Sequence, residues 1–339
     1  MTATAIIVIG RNEGDRLKAC LRSLPHAARI IYVDSGSSDG SQDFARAQGV
    51  EVIDLALDIP FTAARARNAG LARLAGSPIE FVQMVDGDCE LDPAWLENGA
   101  AALHREPCVA AVFGRRRERH PDHSIYNQLC DDEWNVPVGE VRACGGDALF
   151  RMAPLAEVGG YTDSLIAGEE PDLCLRLRAR GWRIRRIDHE MTTHDAAITR
   201  FDQWWRRTKR SGHAFAEHVA RHRSASDPDW FRQLGAILFW GLCLPIAAIA
   251  ALMVAIIVRS PGFWVTIAAV LIALYPLQWL RVAWRKQQSG ASRSFATSYS
   301  TLMMAAKFAQ MTGAIGFVWG YIVGKAPRII EYKSGGRRA

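Results

Sequence analysis

Phe81-Val82-Gln83-Met84-Val85-Asp86-Gly87-Asp88-Cys89 is a short apolar run that ends in two aspartates on either side of a glycine. Its length and composition predict a buried β-strand. Hard divalent cations are held in proteins by one or two carboxylates together with phosphate oxygens. A strand that ends on two carboxylates is therefore a candidate site for a metal ion that carries a phosphate. The alternative is a plain turn, since Asp and Gly are common turn residues.

Three further apolar runs precede this stretch, at residues 5–9, 29–33 and 50–53, and helical patterns separate them. A helix at about 61–74 leads into the run at 81. Strands that alternate with helices predict an α/β fold with a doubly wound, mostly parallel sheet. Ligands of such sheets bind beyond the carboxyl ends of the strands.

Polar residues follow the predicted strands at those ends: Arg11, Asn12 and Glu13 after the first, Asp34 after the second, and Asp86 and Asp88 after the fourth. Their convergence at one edge of the sheet favours a binding site over a set of turns. Asp34 is placed to accept hydrogen bonds from a base or a ribose, and Glu13 from a ribose. Arg67 could reach a diphosphate. The pattern indicates nucleotide binding without a Walker loop or a G-x-G-x-x-G fingerprint.

Two acidic or glycine-rich segments follow in the second half of this region. Cys144-Gly145-Gly146-Asp147 has paired glycines, which allow close approach of the backbone. In Gly168-Glu169-Glu170-Pro171-Asp172, the proline suits the first turn of a helix. Acidic side chains there either stabilise the helix by complementing its dipole or take part in catalysis. The basic run 115–119 is interpreted as a solvated loop rather than as a guide for a phosphate-bearing acceptor.

Together these segments resemble the family-2 glycosyltransferases of the GT-A fold. The resemblance rests on matches in order and spacing over most of residues 5–195: Val8-Ile9-Gly-Arg-Asn12-Glu13, Val33-Asp34-Ser-Gly-Ser-Ser-Asp39-Gly40, Ala66-Arg67-Asn68-x-Gly70, Asp86-Gly-Asp88, Cys144-Gly-Gly-Asp147, Gly168-Glu-Glu170-Pro-Asp172 and Gly181-Trp182. Each motif is weak alone, and the set is specific.

The resemblance implies inverting transfer of a sugar from a nucleotide-diphosphate sugar, with UDP as the usual nucleotide. It places Asp88 and His194, with help from Asp86, around a Mn²⁺ or Mg²⁺ ion. The donor would lie against Arg11, Asn12, Glu13, Asp34, Arg67, Asp86, Gly87, Gly146 and Asp147. The general base is expected at Glu170, a position where the family usually has Asp. Glu169 and Asp172 are the alternatives.

The last third of the chain predicts membrane association. Residues 234–258 and 262–280 are uncharged apolar runs, each long enough to cross a bilayer. Residues 302–324 are apolar but contain Lys307 and Gln310, and are expected to form an interfacial or re-entrant helix with the basic tail 325–338 in the cytoplasm. The expected organisation is a GT-A domain over 1–198, an amphipathic helix and linker over 199–230, and a membrane domain over 231–339.

The amphipathic helix mixes tryptophans with basic residues, as suits a lipid headgroup interface. Gln203-Trp204-Trp205-Arg206 resembles the start of the Q-x-x-R-W motif of membrane-embedded glycan synthases, with Arg207 in place of the final Trp. These residues are interpreted as an interfacial anchor first and as part of an acceptor channel second. Basic residues flank the apolar runs on one side, which predicts a cytoplasmic catalytic domain on the bacterial inner membrane.

Composition and the cysteine pattern argue against a nucleic-acid-binding protein and against a disulfide-rich scaffold. The 339 residues carry a net charge of +6, and the basic excess beside the apolar runs accounts for it without a nucleic-acid partner. The seven cysteines contain no C-x-x-C pair, which indicates reduced thiols, and the N-terminus does not resemble a signal peptide.

The expected function is transfer of one sugar to a lipid-linked or glycolipid acceptor in polysaccharide or glycolipid assembly. The alternatives are a polyprenyl-phosphate sugar synthase and a non-catalytic nucleotide-binding membrane scaffold. Any oligomer is expected to form through the membrane helices.

Overall fold

The structure, a computed structural model, describes residues 4–25, 28–56, 58–222, 227–258 and 261–324. Contacts divide the chain into two compact units, Met1–Ile198 and Thr199–Ala339. The basic tail predicted to lie in the cytoplasm, 325–338, falls outside the described residues.

The first unit is an α/β domain. Its strands are β1 (Thr4–Gly10), β2 (Arg29–Asp34), β3 (Glu51–Asp54), β4 (Phe81–Asp86), β5 (Cys89–Leu91), β6 (Val109–Glu118), β7 (Gly139–Val141), β8 (Ala148–Arg151) and β9 (Arg183–His194). Its helices are α1 (Asp15–Ser23), α2 (Ser41–Ala47), α3 (Ala63–Leu74), α4 (Trp95–Arg105), α5 (Ile125–Glu133), α6 (Met152–Glu157) and α7 (Glu169–Ala179). The strands predicted at 5–9, 29–33, 50–53 and 81–86 and the helix predicted at 61–74 are confirmed.

The described strands form one sheet in the order β3-β2-β1-β4-β8-β6-β9-β5, and β7 pairs with β9. β1 lies inside the sheet, and its residues Ala5 to Val8 are fully buried, which is why that run contains no polar residue. The α/β prediction is confirmed, but the sheet is mixed. β1 to β4 are parallel to one another, whereas β8 runs antiparallel to both β4 and β6.

One prediction about this unit is wrong. The basic run 115–119 was expected in a solvated loop, but residues 115–118 lie on β6, which pairs in parallel with β9. The ladder shifts register between Phe113 and Arg115 and again between Arg115 and Arg116. Such bulges re-aim side chains, and here they send consecutive arginines to different surroundings.

The second unit is helical within the described residues: α8 (Phe201–Arg221), α9 (Pro228–Leu238), α10 (Leu244–Ile257), α11 (Pro261–Gln288) and α12 (Arg293–Ile322). A π-helical turn, Phe239–Cys243, joins α9 to α10 just before Pro245, so Pro228–Ile257 is one continuous helical run. That run and α11 are long and apolar enough to cross a membrane by length and composition, and are candidate spans.

Two details of the second unit differ from the prediction. The helix expected at about 302–324 begins at Arg293, and its placement at an interface stays a prediction. One face of α8 also packs directly on α12. A Cβ built on Gly313 would lie 1.9 Å from the backbone oxygen of Lys209, and one on Gly212 would lie 2.0 Å from that of Gln310. The backbones of the two helices touch there, which only glycine permits.

Candidate active site

The parallel register of the central strands brings the predicted polar ends together. Gly10 lies opposite Asp34, and Ile9 lies opposite Asp86. The Gly87 amide donates a hydrogen bond to the backbone oxygen of Ile9 at 2.8 Å, which fixes the Asp-Gly-Asp turn to the end of β1. These polar residues therefore meet at the carboxyl edge of the sheet.

Asp88 and His194 are 106 positions apart in sequence and meet because β5 pairs antiparallel with β9, with Cys89 opposite His194. The Asp88 Oδ2 atom lies 3.2 Å from His194 Nε2, and both side chains are buried. The other ring nitrogen lies 3.6 Å from the Glu118 carboxylate. Burial, together with Arg116, lowers the pKa of His194, which favours the neutral imidazole that binds metals.

Ligand atoms of Asp88, Cys89 and His194 lie within 4.8 Å of one another. Burial raises the pKa of the Cys89 thiol well above its ordinary value. The ligand atoms that remain for a metal ion are the carboxylate oxygen of Asp88 and the imidazole nitrogen of His194. These atoms suit Mg²⁺ or Mn²⁺ better than a soft ion. Asp86, Cys89 and Asp147 form a second such group beside the first.

Asp86 and Asp147 are linked through the backbone. The Asp86 amide donates to Asp147 Oδ1 at 2.9 Å, and Thr192 Oγ1 donates to Asp147 Oδ2 at 2.9 Å. Gly146 comes directly before Asp147, and a Cβ at that position would lie 2.8 Å from both Arg67 Nη2 and Asp86 Oδ2. A side chain at Gly146 would therefore have to displace Arg67 or Asp86 from its position in the site.

Arg67, on α3, joins the Asp-Gly-Asp turn to the start of α7. Its guanidinium is buried and lies 2.9 Å from Asp86 Oδ1, 3.2 Å from Glu169 Oε1 and 2.8 Å from Glu170 Oε1. Burial alone would lower the pKa of Arg67, but Glu170 and Asp86 outweigh it and raise that pKa. The arginine stays charged and bridges three carboxylates.

Glu170 has the pKa expected of a general base. Burial raises its pKa from 4.5 to about 7, Glu169 and Asp86 add to the rise, and Arg67 opposes it. The residue lies in the first turn of α7, whose N-cap Gly168 has φ +80°, a conformation that favours glycine.

Asp172 has a structural environment. Its carboxylate is fully buried and accepts hydrogen bonds from Thr162 Oγ1 at 2.8 Å and from Arg176 Nε at 2.9 Å. Glu169 is also buried, against Arg67. The hydrogen bonds of Asp172 occupy its carboxylate, whereas Glu169 and Glu170 both contact Arg67, and the identity of the base stays a prediction.

Asp34 does not offer an open acceptor to a nucleotide, contrary to the prediction. Its side chain is fully buried, and its oxygens accept from Tyr32 Oη, Ser37 Oγ, the amides of Gly36 and Ser37, and Gln42 Nε2. Its role in this structure is to fold the loop after β2.

The loop after β1 is tied to the loop after β2. Asn12 has φ +55°, and its Oδ1 atom accepts from the Ser38 amide at 2.8 Å. Glu13 pairs with Arg16 at 2.8 Å, and Arg11 is exposed at the edge. The two loops thus form one preorganised wall beside the acidic turn.

Arg116 and Trp134 are the site residues that sequence reasoning missed. Arg116 Nη1 lies 3.2 Å from Asp147 Oδ2 and 3.4 Å from Asp86 Oδ2, and the guanidinium stacks 4.7 Å from the centre of the Trp134 ring. The same ring meets His194 edge-on at 4.7 Å. The basic run 115–119 is visible in the sequence. Which of its arginines faces the acidic residues depends on the bulges of β6, which the sequence does not show.

The four residues assigned to an acceptor or membrane interface lie at the start of α8. Gln203 Oε1 accepts from the amides of Thr199 and Arg200 at 3.0 and 3.1 Å, so it caps its own helix. Trp204 is buried, Trp205 lies beside Phe201, and Arg206 pairs with Asp202. Within the second unit, Gln203 and Trp204 serve the fold of α8.

Residues 5–152 match the model of glycosyl transferase family 2. Over this range, which is less than half of the 339 residues, the sequence is similar to that family. The matched range includes the Asp-Gly-Asp turn, Arg67, Arg116 and Asp147, and it ends before α7 and β9, which contribute Glu170 and His194.

Curated proteins similar to this chain include two from bacteria. The pre-mycofactocin glycosyltransferase of Mycobacterium tuberculosis is 27% identical over 271 residues, which cover 74% of this chain and 55% of that protein. The chain thus spans about half the length of that relative. The succinoglycan biosynthesis protein ExoA of Rhizobium meliloti is 25% identical over 317 residues, covering 84% of this chain and 95% of that one.

Solved structures similar to this chain include TarS 1-349 of S. aureus in complex with UDP-GlcNAc. It is 14% identical, the match covers 99% of this chain and 98% of that one, and the TM-score is 0.48.

Proposed function

We propose that this chain transfers one sugar, with inversion, from a nucleotide-diphosphate sugar to a lipid-linked or glycolipid acceptor at the cytoplasmic leaflet. UDP is the proposed nucleotide. The observation that carries the proposal is the bridge through Arg67, which contacts Asp86 at 2.9 Å and Glu170 at 2.8 Å. The Arg67 guanidinium thus contacts both a carboxylate on the donor side, Asp86, and the candidate base, Glu170.

Glu170 is proposed to take the proton of the acceptor hydroxyl. A base is most effective when its pKa lies near the working pH, and burial places the pKa of Glu170 at about 7. Inversion requires a base on the acceptor side and no protein nucleophile. Arg67 would orient Glu170, and on deprotonation would stabilise the carboxylate.

Asp88 and His194 are proposed to hold Mn²⁺ or Mg²⁺, with Asp86 beside them. The charges of the site support a cation: Asp86, Asp147, Glu169 and Glu170 pair with the two guanidinium groups of Arg67 and Arg116, and two further carboxylates, Asp88 and Glu118, lie against His194. When bound, the ion would stabilise negative charge on the departing diphosphate. The residues themselves keep the turn rigid through the Gly87–Ile9 and Asp86–Asp147 bonds.

The lipid acceptor is supported by the second unit. Besides its two candidate spans, it contains an apolar groove of about 680 Å³ between α8, α9 and α12. The lining is hydrocarbon and aromatic, and includes Leu234, Met311 and Trp319. A groove of this size and polarity suits a hydrocarbon chain. We propose that the first unit is the catalytic domain and that the second holds it to the inner membrane.

The proposal is tested with the purified full chain, Mn²⁺, a panel of labelled nucleotide sugars and a membrane lipid extract. We expect label from one donor to enter the lipid fraction. Failure to transfer or hydrolyse any donor would refute an enzymatic role. Transfer by Glu170→Gln at the wild-type rate would identify the acceptor as a phosphate, which needs no base, and would favour a polyprenyl-phosphate sugar synthase.

A further inference from the structure

Three consecutive arginines on β6 have three different surroundings. Arg115 is buried against Asp131 at 2.7 Å, and Arg117 pairs at 2.6 Å with Glu190 on the exposed side. Arg116, between them, faces the acidic turn. The bulge between Arg115 and Arg116 breaks the usual alternation of strand side chains and makes this arrangement possible.

Arg116 contacts two carboxylates of the site and also the ring of Trp134. Its ion pairs with Asp147 and Asp86 measure 3.2 and 3.4 Å, longer than the 2.9 Å of Arg67 with Asp86. The Trp134 ring lies 4.7 Å from the guanidinium carbon, and cation–π stacking of this kind can hold an arginine without a carboxylate. The guanidinium can leave the carboxylates and keep its aromatic support.

The carboxylates that Arg116 contacts belong to the group that could receive a metal ion. Asp86 and Asp147 offer ligand atoms within 4.8 Å of each other and of Cys89, beside the Asp88–His194 pair. A guanidinium and a divalent cation a few ångströms apart repel each other strongly in a buried site. The two cations therefore compete for the same negative charge.

We propose that Arg116 is a built-in counter-ion of the acidic site, which a divalent metal must displace from Asp86 and Asp147. The inference rests on the metal binding proposed above. Displacement leaves the guanidinium stacked on Trp134 and available to an anion, so a diphosphate that pairs with it lowers the cost of metal binding. Arg116 thereby weakens metal binding in the absence of nucleotide and couples it to the arrival of the nucleotide.

The test is Mn²⁺ binding by the full-length protein, followed by electron paramagnetic resonance of free Mn²⁺, with and without UDP. Arg116→Gln should bind Mn²⁺ about tenfold or more tightly than wild type without UDP, because one competing charge is gone. Arg116→Lys keeps the charge but loses the planar stacking, so its affinity should lie between the two. Arg117→Gln removes an arginine from the exposed side of the same strand and should match wild type.

UDP supplies the second readout. It should tighten Mn²⁺ binding by a larger factor in wild type than in Arg116→Gln, since the variant has no guanidinium to release. Unchanged or weaker Mn²⁺ binding by Arg116→Gln and Arg116→Lys would overturn the inference, while Mn²⁺ binding by wild type would still support the proposed metal site. Equal coupling to UDP in wild type and Arg116→Gln would also overturn it.

Discussion

Glu170→Gln removes the proposed base with almost no change in shape. The pKa of Glu170, raised by burial to about 7, sets the expected behaviour of the wild-type enzyme. Its kcat/KM should fall about tenfold for each pH unit below 7 and level off above 7, because only the carboxylate accepts a proton. The variant should lose roughly 10²- to 10⁴-fold in kcat at pH 8, the usual contribution of a general base.

Loss of activity in Glu170→Gln would not come from unfolding. The folded-state pKa is raised from 4.5 to about 7, so the folded protein holds the proton more tightly than the unfolded chain. Stability that depends on this proton is present below pH 4.5 and is lost as the pH rises toward 7. Glutamine avoids that loss, so the variant should be more stable above pH 7, by about 3 kcal/mol at most.

The assay measures transfer of labelled sugar to the lipid fraction between pH 5 and 9. Glu169→Gln is the matched control, since it changes the neighbouring carboxylate that also contacts Arg67. It should retain a pH dependence centred near 7, moved slightly downward because a neighbouring negative charge is gone. A Glu170→Gln enzyme within threefold of wild type, or one that keeps the break near pH 7, would refute Glu170 as the base.

Three further substitutions test which contacts stabilise the fold and which shape the candidate donor site. Asp172→Asn should lower stability by about 1–3 kcal/mol, because it removes a fully buried charged acceptor of the hydrogen bonds from Thr162 and the half-buried Arg176, and thermal unfolding in detergent measures this. Gly146→Ala should strongly reduce donor binding, since its Cβ would lie 2.8 Å from charged groups of the site, whereas Gly145→Ala meets nothing within 4 Å and should bind donor normally. Gly313→Ala should destabilise the α8–α12 contact, where its Cβ would lie 1.9 Å from backbone, and Gly316→Ala, open to 4 Å, should not. Equal effects within either glycine pair would contradict the steric argument.

Much of the fold could be predicted from sequence because the strands are short apolar runs with polar residues at their ends. The run at 81–85 is buried throughout, and the convergence of Asp86 with the ends of β1 and β2 follows from parallel pairing. The mixed half of the sheet was not predicted. β8 inserts between β4 and β6 although it follows them by many residues, and such long-range pairing leaves no local signal.

The sequence pattern pointed to residues of the candidate site, but it did not predict the contacts that their side chains make. Asp34 is a polar residue at a strand end, yet its own loop saturates it with hydrogen bonds. Gln203 suits a motif, yet it caps α8. Arg116 lay in a run that resembles a solvated loop, and only the bulged pairing of β6 with β9 turns it toward Asp86. The partners of Asp34 and Gln203 lie within eight residues, but the turn and cap geometry that brings them together is not visible in the residue pattern, and the placement of Arg116 depends on β9, which is distant in sequence.

The central claim, a metal-dependent nucleotide-sugar site at the Asp-Gly-Asp turn, is tested most directly by calorimetric titration of the full chain with UDP-sugar, with Mn²⁺ and with EDTA. Wild type should bind only with Mn²⁺. Asp88→Ala should lose roughly 10- to 100-fold in affinity or more, and the exposed Asp58→Ala should match wild type. Equal affinity in EDTA and Mn²⁺, or an Asp88→Ala variant that binds like wild type, would contradict the account.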